Sequence, residues 1–217
     1  MTYFDAETFA FLRDLKRHND RAWFSANKER YERSLKEPLL QFISDVGPDL
    51  KTVSRHLVAD ARPVGGSMFR IYRDVRFSKD KSPYKTHAGA HFQLGGMSGP
   101  GYYLHVEPGS CFVAGGMWMP EPAALQAIRE RISGRSSDWT KARGTLDHAE
   151  DALKRPPRGF DADDPMIDDI KRKSYTASVP LSDPQMQRSD LVKTFVRSCQ
   201  KVSPLMKFLA SAAGASW

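Results

Sequence analysis

The sequence predicts an α+β fold: a mostly antiparallel sheet of four to six strands, packed on one face by N- and C-terminal helices. Three observations predict it. The first and last parts of the chain carry apolar residues at helical spacing. The middle, from Met68 to Met117, alternates apolar and polar residues with a period of two. Turn formers such as Pro108-Gly109 cut that middle into short runs that reverse direction. Strands in the middle and helices at both ends make layered α+β architecture.

Each element follows in order. Phe4, Phe9, Phe11, Leu12 and Leu15 form the stripe of a first helix. Asp20 caps a second, which carries Trp23, Phe24, Tyr31, Leu35, Leu39, Leu40, Phe42, Ile43 and Val46. Pro38 kinks or divides it, and Gly47-Pro48 reads as its stop. Four strands follow: Met68 to Asp74, His87 to Leu94, Tyr102 to Glu107 and Ser110 to Met117. Gly95, Gly96, Gly99, Pro100 and Gly101 make a flexible connection. Helices are expected over Glu121 to Ile132 and Trp139 to Arg143. A further one runs from Pro165 to Lys171, capped by Asp164. Tyr175 to Val179 adds an edge strand. A final helix runs from Ser189 to Leu209, bent at Pro204.

The 217 residues, 40% hydrophobic, suit a single domain over 1–217 with an ordinary core. No run approaches the roughly 18 apolar residues needed to span a bilayer. Met1 to Asp14 mixes Asp5, Glu7 and Arg13 into its apolar residues, so it is no secretory signal. Cys111 and Cys199 stand far apart with no CxxC partner, so neither a stapled framework nor a thiolate metal site is indicated. A cytoplasmic location and no membrane partner are expected.

Pairing register decides which polar groups meet. The Pro108-Gly109 turn sets Glu107 opposite Ser110, Leu104 opposite Val113, and His105 opposite Phe112. Pairing Phe92 with Leu104 then sets His91 opposite His105. One face carries His87, His91, Gln93, Tyr103, His105 and Glu107. If Phe69 and Ile71 of the first strand enter the core, Arg70, Tyr72 and Asp74 join that face. Imidazoles titrate near neutrality and transfer protons. The bland alternative is the polar outer side of a half-exposed sheet. His87 and His91 lie about 13 Å apart along a strand, too far to share an ion. His91 and His105 fit better, with Glu107 or a residue from Arg70 to Asp74 completing the shell. No spacing matches an established zinc motif, so no metal ligand is assigned and any cofactor is left unknown.

Net charge is +7, and six cations against two acids fall between Arg70 and Lys85. Arg70, Arg73, Arg76, Lys81 and Lys85 are candidates to hold an anion, with Tyr72, Tyr84 and His87 beside them. Alternatively Asp74 and Asp80 pair with these cations to fix the loop. Three functions follow. The first is recognition of a phosphorylated or carboxylated small molecule on the basic, His-bearing face. The second is a hydrolase or transferase. There His91 or His105 is the acid or base, Asp74 or Glu107 its orienter, and Arg70 or Arg73 the charge stabiliser. Sequence-independent nucleic-acid binding ranks last, because no binding motif accompanies the charge. Whether the protein is an enzyme stays open.

The run from Phe69 to His87 has a pattern of its own: Arg70, Arg73, Asp74, Arg76 and Phe77, then Asp80, Lys81 and Tyr84. It resembles the signature of a bacterial conserved-hypothetical family catalogued as domain of unknown function 2461. Arg21-Ala22-Trp23-Phe24, Gly101 to Pro108, Gly115 to Pro122 and Arg155 to Asp161 extend the resemblance over nearly the whole chain. It implies no activity, substrate or cofactor. It does imply that the polar positions of the signature serve more than solubility.

Overall fold

Helix α1 (Ala6–Arg17) begins where the sequence offers a cap: the Asp5 side chain accepts from the Thr8 amide, and the Thr8 hydroxyl oxygen accepts from the Asp5 amide. The structure, a computed structural model, describes residues 1–95, 99–144, 146–149 and 151–217. Asp20 caps α2 (Arg21–Ala26), and α3 (Lys28–Tyr31) follows. A π-helical segment, Glu32–Lys36, leads into α4 (Glu37–Leu50). This is how the chain accommodates Pro38. A proline ring clashes with the carbonyl four residues earlier, and a widened turn in front of it relieves the crowding. Gly47-Pro48 does not stop the helix, contrary to expectation. Val46 and Leu50, both fully buried, hold the last turn in the core despite the lost Pro48 N–H.

The sheet has four antiparallel strands in the order of the chain: β1 (Ala88–Gln93), β2 (Gly101–Val106), β3 (Cys111–Met117) and β4 (Tyr175–Leu181). Helices α5 (Pro122–Gly134), α6 (Ser136–Ala142) and α7 (Ile167–Ile170) lie between β3 and β4 in sequence. After β4 come α8 (Asp183–Met186) and α9 (Leu191–Ala212), which contains Pro204. Of the glycine connection expected over 95–101, residues 96–98 lie outside the described residues. Among the described residues no helix is long and apolar enough to cross a membrane.

One side of the sheet is the core. Ala90, Phe92, Leu104, Val106 and Val113 are fully buried there. Phe195 of α9 packs at 5.2 Å from Phe92 and 5.4 Å from Phe42 of α4, joining the N- and C-terminal helices over the strands. Each large apolar side chain so buried contributes about 1.5–3 kcal/mol. Tyr102 also points inward, and its hydroxyl donates to the Cys199 carbonyl at 2.9 Å.

Two further expectations need correction. First, Met68 to Asp74 is not a strand of the sheet. It makes only single bridges, Met68 to Ala90 and Tyr72 to Tyr84. The backbone starts along β1, with the Phe69 amide on the Gly89 carbonyl at 2.9 Å, and then folds back on residues 83–85. The helical layer captures the returning segment: the Asn19 side chain bonds both the amide and the carbonyl of Tyr84 at 3.0 Å. Ile71 enters the core as expected, but Phe69 is 46% exposed on the other side.

Second, the β1–β2 register is two residues from the expected one. The β2–β3 pairing is as read, with Leu104 opposite Val113 and His105 opposite Phe112. On β1, however, Phe92 faces Tyr102, His91 faces Tyr103, and Gly89 faces His105. A two-residue shift keeps every side chain on its face but changes its neighbours. Side-chain fit explains the choice. The Tyr103 ring lies over Gly89, where an added Cβ would meet its atoms at 2.4–2.8 Å. Only glycine leaves that space.

Candidate functional site

The face of the sheet away from α9 carries a cleft of about 580 Å³. Its floor comes from outward positions of successive strands: His91, Tyr103, Phe112 and Ala114, then Thr176 and Ser178 of β4. Phe69, Lys85 and His87 stand along one side, and Trp118, Met119 and Asp147 also line it. The rings touch in series. Phe69 is 5.0 Å from His91 and 5.8 Å from Tyr103, and Tyr103 is 5.9 Å from Phe112. Trp118 is 77% exposed, an unusual setting for so large an apolar surface. Next to it Met119 takes a positive φ of 46°, with its amide on the Ser174 hydroxyl at 3.0 Å. A non-glycine residue in that region carries strain.

A second cluster adjoins the cleft. Tyr103, His105 and Glu107 share a face because they are two apart on β2 and its extension. The Tyr103 hydroxyl lies 3.1 Å from His105 Nδ1, and His105 Nε2 lies 3.3 Å from Glu107 Oε2. The imidazole of His105 stacks flat on Phe112 at 4.6 Å and 11°. Extending the β1–β2 register by one residue puts His87 opposite Glu107, and the His87 and His105 rings are 4.4 Å apart. One ligand atom each from His87, His105 and Glu107 lie within 4.8 Å of one another.

The electrostatics follow from burial. Burial pushes His87 down to about 4; His105 and Lys85 add to this and Glu107 opposes it. Burial also lowers His105, outweighing its hydrogen bond to Glu107. Burial, followed by the charge of Glu107, raises the Tyr103 phenol to about 12. Near neutrality both imidazoles are therefore neutral and the phenol keeps its proton. A carboxylate only accepts. The consistent tautomer has His105 Nε2–H donating to Glu107 and the Tyr103 hydroxyl donating to Nδ1.

The expected site residues divide into two groups. His91 and His105 do not meet; His91 sits opposite Tyr103. His87, His105 and Glu107 do come together, and Lys85 and His91 line the cleft. The loop cations are engaged with their own segment. Arg73 pairs with Asp80, and Arg76 with Asp74 at 2.6 Å. Lys81 Nζ donates to the Val75 carbonyl at 3.0 Å, and Lys85 Nζ to those of Arg70 at 2.6 Å and Tyr72 at 3.2 Å. Asp74 is held below the usual carboxylate range, first by Arg76 and more weakly by the exposed Arg70. Tyr84 is buried and stacks on Phe24 at 4.0 Å, with Tyr72 5.4 Å away.

Sequence reasoning missed Phe69, Phe112, Trp118, Met119, Asp147, Thr176 and Ser178. Phe112 was readable, since the β2–β3 register already set it beside His105. The alternation of Tyr175 to Val179 marked Thr176 and Ser178 as outward. Trp118, Met119 and Asp147 carry no local signal.

Comparison with curated proteins finds no match, and comparison with solved structures finds none. The model of one family, described as conserved hypothetical protein (DUF2461), matches residues 7–208, so the chain belongs to that family.

Proposed function

We propose that the cleft on the open sheet face binds a small organic molecule bearing a carboxylate or phosphate on a flat apolar body. One observation carries this reading: a space of about 580 Å³ lined together by the rings of Phe69, Tyr103, Phe112 and Trp118 and by Lys85, His87 and His91. Ligand pockets combine mostly apolar walls with a few polar groups that fix orientation. Aromatic walls suit a flat body. Lys85 suits the anionic end: an ammonium has three donors, and two are spent on carbonyls. Nucleic-acid binding is not favoured, because Arg73, Arg76 and Lys81 of the loop are engaged by acids and carbonyls of their own segment, leaving few cations for a phosphate backbone.

The test is thermal stabilisation by a panel of aryl carboxylates and aryl phosphates, with inorganic phosphate alone as control. The aryl acids should raise the melting temperature more than phosphate does. Trp118→Ala and Lys85→Ala should each abolish the excess. A panel that shifts nothing, or a shift that survives both substitutions, would remove the proposal.

The hydrogen-bonded series Tyr103–His105–Glu107 favours a second reading, acid–base catalysis by a hydrolase or transferase. Tyr103 lines the cleft, and behind it an imidazole is oriented by a carboxylate. Turnover of aryl esters or aryl phosphates, lost in Tyr103→Phe while binding persists, would support it. Tight binding with no turnover across the panel would leave recognition alone.

A further inference from the structure

We propose that His87, His105 and Glu107 form a site for one divalent first-row transition metal ion beside the cleft. Two nitrogen donors and one carboxylate converge from β2, its extension and the residue before β1, all within 4.8 Å. Metal–ligand bonds of about 2.0–2.2 Å put neighbouring ligand atoms roughly 3–3.5 Å apart. His105 Nε2 and Glu107 Oε2, at 3.3 Å, already have that spacing. His87 would close by about an ångström, a small side-chain rotation on the scale of such bonds.

The surroundings are those of a prepared ligand set. A metal-bound imidazole usually uses its other nitrogen to hold a neighbouring oxygen, which fixes its orientation. His105 does so through Nδ1 and the Tyr103 hydroxyl at 3.1 Å, while Phe112 stacks beneath the ring. Among the described residues no hydrogen bond reaches the His87 ring, whose partner is the neighbouring imidazole at 4.4 Å. The two rings are tilted by 35° beside the Glu107 carboxylate, and a cation among the three ligand atoms satisfies all of them. The competing contact, Lys16 to Glu107 at 3.5 Å, comes from a side chain 69% exposed. Exposed pairs of that kind contribute little.

The donor set also narrows the ion. Nitrogen and oxygen donors without thiolate suit zinc or ferrous iron, whereas magnesium and calcium prefer all-oxygen shells. Three protein ligands leave positions open. His87 lines the cleft, so those positions are within reach of its contents. The ion would then add positive charge for the anionic end of a ligand. That last role rests on the cleft reading; metal binding itself does not.

Chelator-stripped, full-length protein should be titrated with Zn²⁺ alone by calorimetry and with Co²⁺ alone by visible absorption. One equivalent should bind, with a low-coordinate Co²⁺ spectrum. His87→Ala and Glu107→Gln should each weaken binding at least tenfold, and Tyr103→Phe about 10–100-fold. Nitrogen NMR supplies a signature specific to ligation. In the metal-free protein the His105 proton sits on Nε2; with Zn²⁺ it moves to Nδ1. His105→Ala removes a buried ring and is not the deciding variant. His87, at the surface of the cluster, carries that test, with melting curves to verify folding. No saturable binding, equal affinity in folded His87→Ala, or an unmoved His105 proton would overturn the proposal. Zn²⁺ binding without any aryl-acid binding would sustain the metal site and sink the cleft reading. Aryl-acid binding without Zn²⁺ binding would do the reverse.

Discussion

The basic loop over residues 70–86 and the open face of the sheet are built from the same kinds of side chain, and the fold uses them in opposite ways. In the loop each cation except Arg70 and Lys79 finds an acid or a carbonyl within its own segment. Tyr84 then anchors the loop to Phe24 and Asn19 of the helical layer. On the sheet face, rings and imidazoles of distant segments converge on open space. A dense run of charge in sequence can therefore be a self-satisfied brace. Sparse polar residues on separate strands, His91, Tyr103, Thr176 and Ser178, line the open space instead.

The largest test of this contrast is Tyr84→Ala against Trp118→Ala. Tyr84 is 5% exposed and stacked, so its loss should cost about 3 kcal/mol in urea unfolding, in the range of large buried aromatics. Trp118 is 77% exposed and should change stability by no more than about 0.5 kcal/mol. Equal costs would erase the distinction between brace and binding face.

Next in size is Gly89→Ala, expected to cost about 1–3 kcal/mol because the new methyl meets the Tyr103 ring. Tyr103→Ala should relieve most of that penalty, so a double-mutant cycle should show strong coupling. Additive costs would mean that something other than Tyr103 sets the β1–β2 register.

That glycine also shows where sequence reasoning stopped. The α+β class was legible because two periodicities, 3.6 and 2, divide the chain cleanly. The β2–β3 register was legible because a two-residue turn, Pro108-Gly109, leaves few ways to pair. The β1–β2 connection is longer and fixes nothing by itself, so the fit of Tyr103 over Gly89 decides. Tyr103, His105 and Glu107 could be assigned to one face by counting. Counting along one strand set His87 apart from His91, and the partners it does have, His105 and Glu107, lie across the strand, where such counting does not reach. Met68 to Asp74 alternates convincingly, yet strand pairing needs a partner edge, and the helical layer draws the chain away after Phe69.

Acid titration should separate the two regions. In metal-free protein His87 titrates at about 4, against about 6.5 unfolded. Below 6.5 the unfolded chain takes a proton that the folded chain refuses. Stability should therefore fall as pH drops from about 6.5 to 4 and level off beyond. His87→Gln should reduce the slope in that window, leaving the part that His105, also lowered by burial, supplies. An unchanged slope would mean that the loss arises elsewhere.

The smallest effect belongs to Arg73→Ala. Asp80 is held well below the usual carboxylate range first by Ser82, through its hydroxyl and amide, and then by Arg73. Its contribution is present above about pH 4 and is lost as pH falls through the lowered folded value. Because Ser82 supplies the larger share, removing Arg73 should shift the acid midpoint only slightly, and added salt should shrink the difference further. The same variant decides what the loop is for. If the loop is a brace, Arg73→Ala leaves aryl-acid stabilisation intact, because Lys85 and the aromatic rings of the cleft are untouched. If that stabilisation disappears at unchanged melting temperature, Arg73 reaches the ligand. The loop and the sheet face would then be one site, not two regions of opposite use.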